Sequence, residues 1–301
     1  MRQLCFMVSL LWGLNAGGPV ATAADATAVD QPHPVEFWRA VAKSNYAVPP
    51  GGNALALARE LTAWVGDTDP ELRDGLGYTI TDEWVQRGVL GANELRVLMA
   101  LWRSNLTAPG PDKVLNRAFG ALNLALVAAV DARTPFLTEE EYRALLEPAM
   151  ALLATETDLR GWDPQQGWVH VTAHTADLLK FLARSSRLRP ADQAHLLEAV
   201  AVRLQTAPHV FTCGEDERLA AIVVSLARRP DFDQAALLTV AKRLASLPEG
   251  FDGFRPQLAA YAARRNALAF LKSVYLSLGL EGTKLPAAKS AAGALLAALA
   301  E

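Results

Sequence analysis

The sequence predicts an all-α protein, and three observations carry that prediction. Ala and Leu together supply a third of the residues, whereas Ile occurs only at Ile80 and Ile222. Ala and Leu cost least in a helix, while strands favour β-branched and aromatic side chains. Apolar residues recur at helical spacing, as in Leu115, Ala118, Phe119, Leu122, Leu126 and Val130. Caps and prolines punctuate the chain between such segments.

The first element is a secretion signal rather than part of the fold. Arg2 precedes an apolar run from Leu4 to Leu14, and Ala21-Thr22-Ala23 offers the small-x-small pattern of a cleavage site. The run is too short to span roughly 30 Å of hydrocarbon. Residues 1–23 are therefore expected to be removed, leaving a periplasmic or secreted protein with no membrane attachment after cleavage.

Helix starts follow in order. Thr68-Asp69-Pro70-Glu71 combines a cap, a first-turn proline and a glutamate placed to reach back. Thr138 with Glu141, Asp163-Pro164 with Gln166, Thr212 with Glu215, and Asp231 with Gln234 repeat the pattern, and Pro111, Pro190 and Pro286 mark further starts. About eleven helices are expected from near residue 34, with only Gly75–Ile80 and Phe251–Phe254 irregular. Starts at 138, 163, 190, 212 and 231 set alternate helices 52, 49 and 41 residues apart. That interval suits stacked helical hairpins, as a HEAT-like α-solenoid or an α/α toroid. No linker divides the chain, so residues 34–301 are expected to be one helical domain.

Charge and cysteine content narrow the function classes. The net charge is −3, with 29 Lys and Arg scattered among 32 Asp and Glu. No basic stripe exists to follow a phosphate backbone, so nucleic acid is not an expected partner. Cys5 leaves with the signal and Cys213 stands alone, which rules out an intramolecular disulfide and zinc sites built from several thiolates.

The chemistry-bearing residues concentrate in one stretch. With Asp163 as a cap, His170, His174 and Asp177 fall at i, i+4 and i+7 on one helix face. Two imidazoles one turn apart can chelate a divalent cation, with the carboxylate as third ligand or as an orienting group. Glu215 or Asp216 could then activate water. The same three residues suit a buried network in which Asp177 accepts a bond from His174 and His170 bonds a neighbouring helix, which is the usual role of buried polar clusters. Trp162 and Trp168 flank the segment and, with Trp84 and Trp102, form either an aromatic floor for a ligand or plain core, with core the expected reading. In Gly214-Glu215-Asp216-Glu217-Arg218-Leu219, acidic residues complement a helix start and Glu215 with Arg218 is an ordinary i, i+3 pair. In Leu72-Arg73-Asp74-Gly75-Leu76-Gly77-Tyr78, a helix is expected to end at Gly75 or Gly77, leaving Arg73 and Asp74 free for a cross-helix ion pair.

Leu72–Tyr78, Leu159-Arg160-Gly161-Trp162, Gly167–Leu179 and Gly214–Leu219 together resemble a bacterial family catalogued as domain of unknown function 2785. The resemblance spans roughly residues 35–280. It implies an all-helical fold and supplies no activity. The family's members are often cytoplasmic in appearance, so the signal segment is a departure.

Two functions follow as expectations. The first is an exported helical-repeat scaffold that holds a protein, peptide or glycan ligand. The second is a metal-dependent or acid/base hydrolase using His170, His174 and Asp177, with Trp168, Arg160, Glu215, Asp216, Arg218 and Asp74 around them. No cofactor is required by the first reading, and a divalent metal is the one the second would use.

Overall fold

The computed structural model describes residues 32–300, so the expected signal at 1–23 lies outside the described residues. Twelve α-helices run through the described residues. They are α1 (Val35–Lys43), α2 (Ala54–Leu61), α3 (Thr79–Gln86), α4 (Ala92–Arg103), α5 (Val114–Arg133), α6 (Glu139–Thr155), α7 (Val171–Leu182), α8 (Pro190–Thr206), α9 (Glu215–Ala227), α10 (Gln234–Ala245), α11 (Leu258–Glu281) and α12 (Pro286–Ala300). A two-stranded hairpin, β1 (Trp162–Asp163) with β2 (Gly167–Trp168), precedes α7. The fold is all-α, with 69% helix against 2% strand.

Three helices, α6, α8 and α12, start where the punctuation puts them. Thr138 Oγ1 accepts the Glu141 amide while Glu141 Oε2 accepts the Thr138 amide, which satisfies two otherwise orphaned donors at the start of α6. Pro190 opens α8 and Pro286 opens α12. Asp231 is not the cap of α10: it pairs with Arg229, and Asp233 accepts the Ala236 amide instead.

The stretch from Gly75 to Ile80 is helical, contrary to expectation. Glu71–Tyr78 forms a wide π-helical turn that runs directly into α3. Gly77 permits this width, since a Cβ there would stand 2.9 Å from the Leu72 carbonyl oxygen. Single π-turns inside helices are rare and recur at functional sites.

Alternate helices pack side by side. α5 lies against α7, α7 against α9, and α9 against α11; α6 lies against α8, α8 against α10, and α10 against α12. Their apolar faces merge into one core with the ring cluster of Trp38, Trp64 and Trp84 at its N-terminal end. The segment Pro111–Arg133 is long and apolar enough to cross a membrane, but 78% of its most apolar window is buried against the protein's own helices. A buried ion pair, Arg117 with Glu156, ties the start of α5 to the end of α6. Arg203 of α8 donates to the carbonyls of Leu153 and Glu156.

Candidate functional site

The segment expected to open a helix at Asp163 makes a hairpin instead. Asp163 Oδ1 accepts the amides of Gln165 and Gln166, each at 2.9 Å, and so caps a tight turn. Gly167 follows at φ +70, a left-handed conformation that favours glycine. Trp162 then pairs with Trp168, and the ladder continues as the Val169 amide donates to Gly161 and the His170 amide to Arg160.

The hairpin places His170 just before α7 rather than inside it. His170 adopts φ 52 and ψ 29, a strained choice for a side chain with a Cβ. The helix begins at Val171. His170, His174 and Asp177 therefore do not share one helix face. Asp177 is taken up by two cations, Lys180 at 2.6 Å and Arg218 of α9. Arg218 thus bridges to Asp177 across helices, in place of the expected pair with Glu215. His174 is buried, its ring edge-on to Phe119 and 5.6 Å from the His170 ring. Burial, with His170, Arg218 and Arg73 nearby, holds His174 neutral far below the usual histidine range. The expected bond from His174 to Asp177 gives way to these ion pairs, because Asp177 finds formal charges on both sides.

The residues that do converge on His170 are Cys213 and Glu215. The His170 ring stacks on Trp168, with centroids 4.6 Å apart, and its Nε2 donates to the Cys213 carbonyl at 2.9 Å. Glu215 Oε1 stands 3.9 Å from the same nitrogen, and Glu215 Oε2 accepts the Cys213 amide. One ligand atom from each of His170, Cys213 and Glu215 lies within 4.8 Å of the others. Burial lowers the His170 pKa, and Glu215 opposes that shift.

Gly161 makes this convergence sterically feasible. A Cβ at that position would fall 2.5 Å from Cys213 Sγ and 2.8 Å from Glu215 Oε1. Only a bare backbone fits between the hairpin and the start of α9.

The remaining expected residues sort around this centre. Arg73, fully buried, donates to the carbonyls of Asp67, Gln166 and Trp168 and to Asp74 Oδ2, and lies 4.6 Å over the Phe119 ring. It pairs with its own neighbour Asp74 and anchors the hairpin, in place of the expected cross-helix ion pair. Burial pushes Asp74 up to about 6, against the pull of Arg73. Tyr78, from the same motif, lies in the field of Asp82, Asp177 and Arg218. Arg160 pairs with Asp158 and Asp163 on the outer side of the hairpin. Asp216 accepts a bond from Ser273 of α11, and no bond joins it to His170.

The tryptophans divide differently from expectation. Trp84 and Trp102 are core, whereas Trp162 and Trp168 are 54% and 41% exposed and pack edge to face at 5.0 Å. The hairpin lifts them out of the helical packing, which a helix from Asp163 would not have done.

Four segments thus meet in one place: Arg73 and Tyr78, the Arg160–Trp162 segment, the Trp168–Asp177 stretch, and Cys213–Arg218. The family model described as a protein of unknown function (DUF2785) matches residues 103–276. The chain belongs to this family. Three of the four segments lie inside the DUF2785 match, and the Leu72–Tyr78 motif lies outside it. No curated protein and no solved structure matches the chain.

The pairing of Cys213 with His170 was not visible in the sequence. They are 43 residues apart and sit in different turns. The signal that could have found it is Gly161, whose lack of a side chain implies close approach by another segment.

Proposed function

We propose that this DUF2785 protein is an exported binding protein whose ligand surface is the Trp162–Trp168 hairpin beside His170. The observation that carries the reading is the exposed tryptophan pair. Two large indoles half in water cost solvation that a helical core could have relieved, and exposed aromatic groups of this kind mark contact surfaces. Arg160, Asp163 and Gln166 form a hydrogen-bonded cluster of planar polar groups on the same hairpin. An apolar ring face rimmed by such donors and acceptors suits a sugar ring, with its C–H face on the indole and its hydroxyls on the rim. A peptide is the second class of ligand for the same surface.

The scaffold part of the proposal rests on the side-by-side packing of alternate helices from α5 to α12. Such packing is what stacked hairpins of a HEAT-like solenoid or an α/α toroid require. Export rests on the Arg2–Ala23 pattern. A hydrolase at His170, His174 and Asp177 has less support, since Asp177 is neutralised by Lys180 and Arg218.

Tryptophan fluorescence tests the reading. Titration with neutral oligosaccharides, and in parallel with short peptides, should quench or shift emission for one class. Trp162→Ala and Trp168→Ala should each abolish the response while circular dichroism stays unchanged. A full response in the double variant would overturn the proposal.

A further inference from the structure

We propose that His170, Cys213 and Glu215 form a binding site for a zinc-like divalent metal ion, wedged between the hairpin and the start of α9. The proposal does not rest on ligand binding by the tryptophan pair, although Trp168 packs on the His170 ring.

The donor set is the first argument. A thiol, an imidazole and a carboxylate are the three ligand types that Zn²⁺ takes, and a thiolate disfavours hard cations such as Mg²⁺ and Ca²⁺. A tetrahedral zinc with bonds of about 2.0–2.3 Å needs donors roughly 3.3–3.8 Å apart. His170 Nε2 and Glu215 Oε1 stand 3.9 Å apart, and all three donors lie within 4.8 Å. A contraction of about an ångström between side-chain ends closes the set.

Glu215 is a buried carboxylate with little to offset its charge. Its side chain is 3% exposed, and it meets one backbone amide and one imidazole. Among the described residues no Lys or Arg comes within 4.0 Å of it. The nearby Arg218 is engaged by Asp177. Buried carboxylates are ordinarily paired with a cation or bound to a metal. The start of α9 supplies a partial positive charge, and the ion would supply a full one.

The third argument is preorganisation. His170 is held in a left-handed conformation, its ring clamped against Trp168, and Gly161 keeps the space beside Sγ and Oε1 free of any side chain. Strained backbone persists only where its surroundings over-determine it, and it clusters at active sites and ligand clamps. On binding, the Cys213 thiol would release its proton to solvent, and the neutral His170 ring would shift its proton from Nε2 to Nδ1, so that Nε2 exchanges its bond to the Cys213 carbonyl for the metal. Three protein ligands leave a fourth position for water or a ligand group.

The test uses the purified chain, kept reduced, stripped with a chelator and titrated with Co²⁺ and then Zn²⁺. One Co²⁺ per chain should bind, with a near-ultraviolet thiolate-to-cobalt absorption that Zn²⁺ abolishes by displacement. Cys213→Ser should lose that absorption. His170→Ala and Glu215→Gln should weaken Zn²⁺ binding beyond the ~10–100-fold that outer-shell changes cause. Cys213 is half-buried and serine is nearly isosteric, so this variant should fold even if the other two do not. Binding of neither ion by the parent chain would overturn the proposal. So would cobalt binding without the absorption, or parent-like zinc affinity in Cys213→Ser.

Discussion

The Arg73 guanidinium donates to the carbonyl oxygen of Gln166 at 2.7 Å, across 93 residues of chain. The same nitrogen reaches Trp168 and Asp74, so one buried cation fixes the hairpin that carries both exposed tryptophans and His170. A guanidinium suits this task because its fork of fixed donors serves several carbonyls at once. Arg73→Ala would leave those acceptors and Asp74 without a partner. It is expected to cost about 3 kcal/mol or more. Amide exchange at Val169 and His170 should accelerate more than exchange in the middle of α5. Equal acceleration in both would show a general loss of packing and no anchoring role.

Asp74 makes the Arg73 centre sensitive to pH. Its carboxyl is pushed from an ordinary value near 3.8 to about 6 by burial. An acid whose pKa is raised on folding binds its proton more tightly in the native state. Its contribution to stability is therefore full below 3.8 and is lost as pH rises to about 6, then stays constant. Stability measured by urea unfolding, wild type minus Asp74→Asn, should fall across that window. A difference that is flat, or that rises with pH, would disprove the assignment.

How far the sequence is legible depends on which interactions decide each segment. The starts of α6, α8 and α12 were readable because Thr138 with Glu141, Pro190 and Pro286 act locally. Asp163 misleads for a physical reason. A carboxylate accepting two following amides caps a helix or closes a turn with the same hydrogen bonds. Glycines at 161 and 167 and a guanidinium from residue 73 decide for the turn, and the last of these is remote in sequence. That one local choice moves His170 off the helix and brings it to Cys213, and it exposes Trp162 and Trp168. The residue types of the candidate site were thus legible, whereas their grouping was not.

Gly161 and Gly75 should respond oppositely to the same substitution. Gly161→Ala would drive a methyl group to within 2.5 Å of Cys213 Sγ, 2.7 Å of Cys213 Cβ and 2.8 Å of Glu215 Oε1, and the Cβ, fixed to the backbone, cannot swing aside as the two side-chain ends can. The expected cost is about 1–3 kcal/mol, with loss of the His170–Cys213 contact. At Gly75 the nearest atoms to a new Cβ are 4.0 Å away, and the backbone is already helical. Gly75→Ala should be neutral or stabilising by up to about 1 kcal/mol. Thermal melts of the two variants check the pair, and similar losses in both would contradict the packing described.

Asp177 separates the expected His–His–Asp centre from the one proposed at His170, Cys213 and Glu215. Its two oxygens are divided between Lys180, one turn along α7, and Arg218 on α9, so it joins two helices by charge. The carboxylate is buried while both cations are partly in water, which lets solvent compensate them if the carboxylate is removed. Asp177→Ala should therefore cost about 1–3 kcal/mol, below the usual loss for a fully buried pair. Cobalt and zinc binding at His170, Cys213 and Glu215 should be unchanged in that variant, since none of the three bonds to Asp177. Under the alternative in which Asp177 is a ligand, metal binding would fall with it. A titration showing Asp177→Ala to be as defective toward zinc as His170→Ala would restore the helix-face centre and displace the hairpin one.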